Sequence, residues 1–373
     1  MEWNMATLED EIAARRRDIF TDAYSMSIGE LTNLYREGEV DIHPEFQRIF
    51  RWDDLQKSRL VESLLLGIPL PSIFVAQAEN GAWDIVDGVQ RLSTILQFQG
   101  VLKNDEGETL PPLDLQGTAL LPSLAGKQWQ NDDDPSISLT QAQRLDFKRA
   151  KLDLKIVKRE SSAESKYDLF QRLNSYGSQA TTQEVRSCML IGTNPEFYTW
   201  LNELARDPHF LATVALSDRL INEQYHLELA LRFLILRTLP ETDITKIGNL
   251  GDFLSSQALK MALDPAFDMA KEGDAFKKTF ALLDEVGNDS VFKRWNETKD
   301  RFQGPFLNTA FEVVGMGLGH HIDSYQGASE TDAIQKAKTF WTNGEFSTGF
   351  ATGVRADTRI AKSVPLGRQL FKK

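Results

Sequence analysis

The stretch Asp87-Gly88-Val89-Gln90-Arg91 has the residue types and spacing best suited to chemistry. It follows a short apolar run, Ile85-Val86, and precedes Leu92, Ile95, Leu96 and Phe98 at helical spacing, which predicts a strand, a tight turn and a helix. The first N–H groups of such a helix point outward and carry the positive end of its dipole, so the turn suits an anion or a phosphate. Arg91 adds a fork of donors, and Asp87 adds a carboxylate able to hold a metal ion or a ribose hydroxyl. A plainer account of the same residues stays open: Asp87 caps the helix and Arg91 pairs with an acid.

Other groups could serve the same chemistry. The segment His43-Pro44-Glu45-Phe46-Gln47-Arg48-Ile49-Phe50-Arg51-Trp52 mixes rings, arginine and glutamine, as where a base or phosphate is bound, and equally as where an arginine stacks on a buried ring. Asn174, in Asn174-Ser175-Tyr176-Gly177, is either a polar site residue or the holder of that turn. The last twenty residues carry Arg355, Arg359, Lys362, Arg368, Lys372 and Lys373 against Asp357 alone. A solvated basic tail is the default expectation there, and phosphate contact the sharper one. Asp132-Asp133-Asp134 reads as solvated loop, and Glu228 with Arg232 reads as an orienting salt bridge inside an apolar helix. The single cysteine, Cys188, has apolar neighbours at helical spacing and no partner for an internal disulfide.

Several reaction types lack their residues. The five histidines, His43, His209, His226, His320 and His321, form no His-Glu-x-x-His, and neither a Cys-x-x-Cys, a P-loop nor a Gly-x-Ser-x-Gly elbow occurs. His320-His321 follows a glycine-rich stretch and reads as a helix end rather than a shared site. A net charge of −12 argues against non-specific coating of nucleic acid, though not against a local basic site. With no apolar run of membrane length and a mixed, acidic start, the chain reads as cytoplasmic and without a membrane partner.

The elements that must position these residues are legible in part. Residues 8–19 have helical spacing, Ser27 with Glu30 opens a short helix, and residues 40–42 suit a short strand. Asp53 caps a helix that carries Leu55, Leu60, Val61, Leu64 and Leu65 and stops at Gly67. Residues 72–76 and 83–86 read as a hairpin about Glu79-Asn80-Gly81. A loop-rich stretch leads to a helix over 140–150 and an alternating strand over 152–157. Ser162 starts a helix with Tyr167, Phe170 and Leu173, and Thr181 with Glu184 starts another. Beyond Pro195 strand signals fade, and residues 195–205, 222–236, 251–261, 265–284 and 305–315 read as amphipathic helices. The fold class expected is α+β followed by an all-α domain. The expected divisions are 1–24, an N-terminal helix; 25–190, the α+β domain; 191–345, the helical domain; and 346–373, the basic tail.

Three segments in order carry a resemblance: Pro44-Glu45-Phe46-Gln47-Arg48 with Phe50-Arg51-Trp52, Ile85-Val86-Asp87-Gly88-Val89-Gln90-Arg91-Leu92, and Phe170-Gln171-Arg172-Leu173-Asn174-Ser175-Tyr176-Gly177 running into Thr182-Gln183-Glu184-Val185-Arg186. Over roughly residues 25–240 the chain resembles the domain of unknown function 262 family, the ParB-like part of GmrSD-type and SspE-type restriction proteins. The resemblance implies a ParB/sulfiredoxin-like domain acting in bacterial defence against foreign DNA. It implies nucleotide binding and hydrolysis at the turn, with Asp87, Gln90 and Arg91 catalytic and Asp87 the Mg²⁺ ligand. Gln47, Arg48, Gly88 and Asn174 would bind the nucleoside triphosphate. Phe46 and Arg51 of the matched segment would contact DNA, modified or not, and the charge of the last twenty residues, outside the resemblance, adds Arg355 and Arg359 to that expectation. Val89 stands where the family usually has its first glutamine, which removes an amide that could orient a phosphate or water. No histidine-rich nuclease signature follows residue 240 apart from His320-His321, so a separate nuclease or defence subunit is the expected partner, and a homo-oligomer is also allowed. Two other functions compete: a non-catalytic DNA- or protein-binding regulator, and a metal-dependent nuclease using Asp87 and Glu62.

Overall fold

Residues 151–157 alternate apolar and polar while residues 73–77 are nearly all apolar, and that difference places the two runs at different depths of one sheet. The computed structural model describes residues 7–9, 12, 20–42, 52–78, 80–104, 106–161, 169, 181–325, 330–342 and 354–373. It divides into two units, Met1–Ala180 and Thr181–Lys373.

The first unit is α+β. Strands β1 (Thr21–Ser27), β2 (Val40–Asp41), β3 (Ile73–Gln77), β4 (Trp83–Asp87) and β5 (Lys151–Val157) stand in the order β1-β5-β3-β4-β2. β5 runs antiparallel to β1 and parallel to β3, while β4 runs antiparallel to β3 and parallel to β2. Leu152, Leu154 and Ile156 of β5 turn inward, as their alternation predicts, and join Ile73, Val75 and Ile85 in the core. Helices α1 (Ile28–Glu37), α2 (Asp54–Leu65), α3 (Val89–Phe98) and α4 (Gln141–Arg149) complete that core. Phe98, Trp129 and Phe147 meet edge to face with centroids 5.5–5.6 Å apart. Ser27 and Asp53 cap α1 and α2 as expected, and Gln56 completes a capping box with Asp53.

β1 was not foreseen, because Thr21-Asp22-Ala23-Tyr24-Ser25 is mostly polar and exposed. It is a strand because β5 offers it a seven-residue ladder, from Thr21 opposite Val157 to Ser27 opposite Lys151. The division expected at 24/25 falls inside it. Most of the helix expected over 8–19, and the helix expected after Ser162, lie outside the described residues.

The second unit is mainly helical. Its principal helices are α5 (Thr182–Thr193), α6 (Pro195–Ala205), α7 (Pro208–Val214), α8 (Tyr225–Thr238), α9 (Leu250–Leu263), α10 (Met269–Gly287), α11 (Glu330–Thr342) and α12 (Ala356–Phe371). The division expected at 190/191 falls within α5, whose start carries the predicted Thr181/Glu184 capping box. A helical segment over 308–320 widens into a π-turn at Phe311–Gly315. Phe210, Phe233, Phe276, Phe280 and Phe311 form a continuous ring cluster in the core. Two expectations are corrected here. A hairpin, β6 (Arg294–Asn296) with β7 (Arg301–Gln303), stands where no strand signal was read. The basic end of the chain, read as a solvated tail, is helix α12, which buries Ile360, Val364 and Phe371. Among the described residues no helix is long and apolar enough to cross a membrane.

α12 lies against the 308–320 segment through glycines. A Cβ on Gly367 would collide with the Val313 carbonyl, and one on Gly317 with the Gly367 backbone. Gly367→Ala is therefore expected to destabilise the protein by roughly 1–3 kcal/mol, read as a lower urea midpoint at unchanged slope. A second expectation concerns pH. His226 in α8 is buried, its Nδ1 has no partner among the described residues, and burial together with the charge of Arg206 holds its pKa down to about 4. The folded protein thus keeps His226 neutral where the unfolded chain takes up a proton. Stability is full above pH 6.5, falls as the pH drops towards 4, by on the order of 3 kcal/mol, and then levels off. Urea midpoints at pH 7 and 4.5 should differ less for His226→Leu than for the unaltered protein; an equal difference refutes the assignment.

Candidate functional site

The 87–91 turn is built by the β3–β4 hairpin. Asn80 Oδ1 accepts the Ala82 N–H and Gly81 takes a positive φ of 90°, so the chain reverses and returns along β3. β4 ends at Asp87, which lies opposite Phe74 beside a register shift between Phe74 and Val75. Gly88 follows with φ 95°. A Cβ there would also stand 3.0 Å from Ile73 Cγ1 and 3.1 Å from Arg91 Nη2, so backbone and packing both demand glycine. α3 begins at once, with no side chain capping it. Leu92, Ile95, Leu96 and Phe98 are fully buried. Each contributes roughly 1.5–3 kcal/mol, which outweighs the ~1 kcal/mol that a missing cap forfeits.

Arg91 is the staple of this turn. Its Nη2 donates to Asp87 Oδ2 at 3.1 Å and to the Ser72 carbonyl at 3.2 Å, and its Nη1 donates to the Pro71 carbonyl. The side chain is only 11% exposed, and burial lowers its pKa against the opposing pull of Asp87. Asp87 does not cap α3. One of its oxygens takes Arg91, while among the described residues nothing bonds the other, on a side chain 28% exposed. The two backbone carbonyls that hold Arg91 have no sequence signal, since any residue could supply them.

Gln90 faces another way. Its Oε1 accepts the Trp52 N–H at 3.3 Å, which brings the end of the 43–52 segment to the turn. Phe46, Gln47, Arg48, Arg51 and Asn174 lie outside the described residues.

The remaining candidates are engaged elsewhere. Glu62 Oε1 accepts from Thr118 Oγ1 and from the N–H groups of Leu120 and Leu121, at 3.1 and 3.0 Å, and the Thr118 bond leads in holding its pKa low. That carboxylate secures the 118–121 loop. Asp134 caps its own turn through Ser136. His320 and His321 donate to the carbonyls of Arg237 and Arg368 with their rings nearly perpendicular. Among the described residues no three His, Cys, Asp or Glu side chains form a metal cluster. Glu228 and Arg232 do pair, at 2.6 Å, and the fully buried Arg186 lies 3.6 Å from the same carboxylate.

The two arginines expected to contact DNA differ. Arg355 stays 77% exposed beside Asp357. Arg359 is turned inward: Nε and Nη2 bond both oxygens of Glu312, a carboxylate on the π-turn with no exposed surface, and Ser363 Oγ completes its shell at 2.8 Å. Its charge is already spent on that acid.

Comparison with known proteins bears on the first unit. Residues 28–191 match the family model of the GmrSD restriction endonuclease, N-terminal domain. That stretch holds the entire turn, its staple and the start of α5, and it is the family named by the three sequence segments. No curated protein and no solved structure matches the chain.

Removing Arg359 would leave Glu312 buried and unpaired, so Arg359→Ala is expected to destabilise the protein by about 3–5 kcal/mol in urea unfolding. Unchanged stability with weakened DNA binding would restore the phosphate-contact role.

Proposed function

We propose that the chain is a nucleotide-binding, NTP-hydrolysing, DNA-sensing component of a bacterial restriction or anti-phage defence system, with cleavage supplied by a separate nuclease subunit. The ParB/sulfiredoxin-like character of the first unit belongs to the same proposal. The observation that carries it is the uncapped amino end of α3 set beside a half-engaged Asp87 carboxylate, within a stretch that matches a restriction endonuclease domain.

In this reading the α3 dipole and first-turn amides face the phosphates of the nucleotide, and Gly88 lets them approach closely. A single carboxylate fits Mg²⁺ that arrives on phosphates and keeps much of its water, rather than one caged by protein. Such an ion would supply charge neutralisation on the transferred phosphoryl group. Arg91 positions Asp87 and holds the turn against the chain before β3. Gln90 links the turn to Trp52, so that nucleotide occupancy is felt by the aromatic and arginine-rich segment that would face DNA.

One observation favours the non-catalytic alternative. Arg91 makes three bonds within the protein, so a direct role on phosphate requires it to leave them. If it stays, the turn binds an anion for shape alone, and the protein is a binding regulator.

Phosphate release with ATP, GTP, CTP and UTP plus Mg²⁺, with and without DNA, separates the two. Asp87→Asn is expected to keep the melting temperature within a few degrees and to abolish release. Nucleotide-dependent stabilisation without turnover would favour the regulator, and neither turnover nor stabilisation by any nucleotide would overturn both readings of the turn.

A further inference from the structure

The sheet of the first unit has two edges of unlike length. β2 forms one with two residues, while β1 leaves seven at the other. Long edge strands are normally blunted by proline, lysine, a bulge or a covering element, because their outward N–H and C=O groups template another strand. β1 carries neither proline nor lysine, pairs with β5 without a register shift, and is exposed over 21–25.

The ladder fixes which of its groups face outward. The Lys158 N–H donates to the Phe20 carbonyl and the Ile28 N–H to the Ala150 carbonyl, so even-numbered residues bond to β5. The backbone groups of Thr21, Ala23, Ser25 and Ser27 therefore point away from it. Asp22 Oδ1 accepts the Ala23 N–H at 2.8 Å, while among the described residues nothing bonds the Ser25 N–H or the carbonyls of Thr21, Ala23 and Ser25. Even-numbered side chains share the face of Leu152 and Leu154, where Met26 packs on the core and Tyr24 stays 55% exposed.

We infer that a second copy of the chain answers this edge, the two sheets joining through antiparallel β1–β1 pairing around a twofold axis at Tyr24. Centring on Tyr24 is the register that overlaps all seven residues, and it sets outward groups opposite outward groups. Ala23 faces Ser25 of the second copy and Thr21 faces Ser27, each pair exchanging backbone bonds, and the Ala23 N–H leaves Asp22 for a carbonyl. Tyr24 meets its own copy in a non-hydrogen-bonded pair, where side chains approach most closely and an aromatic pair is favourable. The strand's single charge, Asp22, lands opposite Met26. A register centred on Asp22 would instead oppose two carboxylates, which disfavours it. Two such strands bury less than the roughly 1,200 Å² at which standard interfaces begin, so association is weak and concentration-dependent. β5 and β3 stand between β1 and β4, which sets the edge apart from the Asp87 turn.

Sedimentation equilibrium of the full chain over roughly 1–300 µM is expected to show monomer passing to dimer. Ser25→Pro removes an outward N–H and keeps the backbone ladder to β5, so it should abolish the dimer while moving the melting temperature by only a few degrees. Tyr24→Lys and Tyr24→Glu each oppose like charges and should weaken self-association by roughly tenfold, whereas an equimolar mixture of the two should dimerise again. Monomer at every concentration, a dimer that Ser25→Pro leaves unchanged, or a mixture that associates no better than either Tyr24 variant alone overturns the inference.

Discussion

The guanidinium of Arg91 is the contact on which the first unit's working end depends. It joins three pieces of chain: the end of β4 through Asp87, the approach to β3 through Pro71 and Ser72, and the first turn of α3 on which it stands. Backbone carbonyls are strong acceptors that must be satisfied when buried, and one arginine fork answers two of them while also pairing a carboxylate. Gly88 makes the arrangement sterically allowed, because any Cβ there would press on Ile73 and on the fork itself. The turn is thereby held open at the amino end of a helix whose other residues are anchored in the core.

The second unit uses arginine differently, as an internal fastener in an acidic chain. Glu312 has no exposed surface and is held by Arg359 and Ser363 from α12. Arg368, from the same helix, donates to the carbonyls of Leu236, Arg237 and Leu239 and so closes the carboxyl end of α8. Tyr225 and Arg232 share Asn308 Oδ1 at 2.7 and 3.0 Å. Because desolvated charges are costly unless paired, these residues lock α8, the 308–320 segment and α12 into one register. Of the positive charges near the end of the chain, Arg359 and Arg368 are thus structural.

How far this was legible depends on how local each determinant is. Capping residues Ser27, Asp53 and Thr181, the β3–β4 hairpin, the alternation of β5 and the Glu228–Arg232 pair are set by neighbours within a few positions, and they stand as read. β1 was missed because its pairing partner lies about 130 residues away, with Thr21 opposite Val157. The β6–β7 hairpin was missed because three-residue strands carry almost no periodic signal, although Trp295 and Phe302 flanking Asn296 and Asp300 hinted at it. At the end of the chain charge alone predicts solvent, while the small residue Gly367 and the apolar Ile360, Val364 and Phe371 fit it against a neighbour.

By itself the sequence determined the residue types of the turn, the glycine that starts α3, the α+β then helical order and the family resemblance of the first half, because these depend on short-range pattern. Only the tertiary structure decided what each charge does. Arg91 holds carbonyls before β3, Glu62 holds a loop, and Arg359 holds Glu312. A charged side chain reaches several ångströms in many directions, and its partner is chosen by burial and by backbone groups that no residue letter encodes.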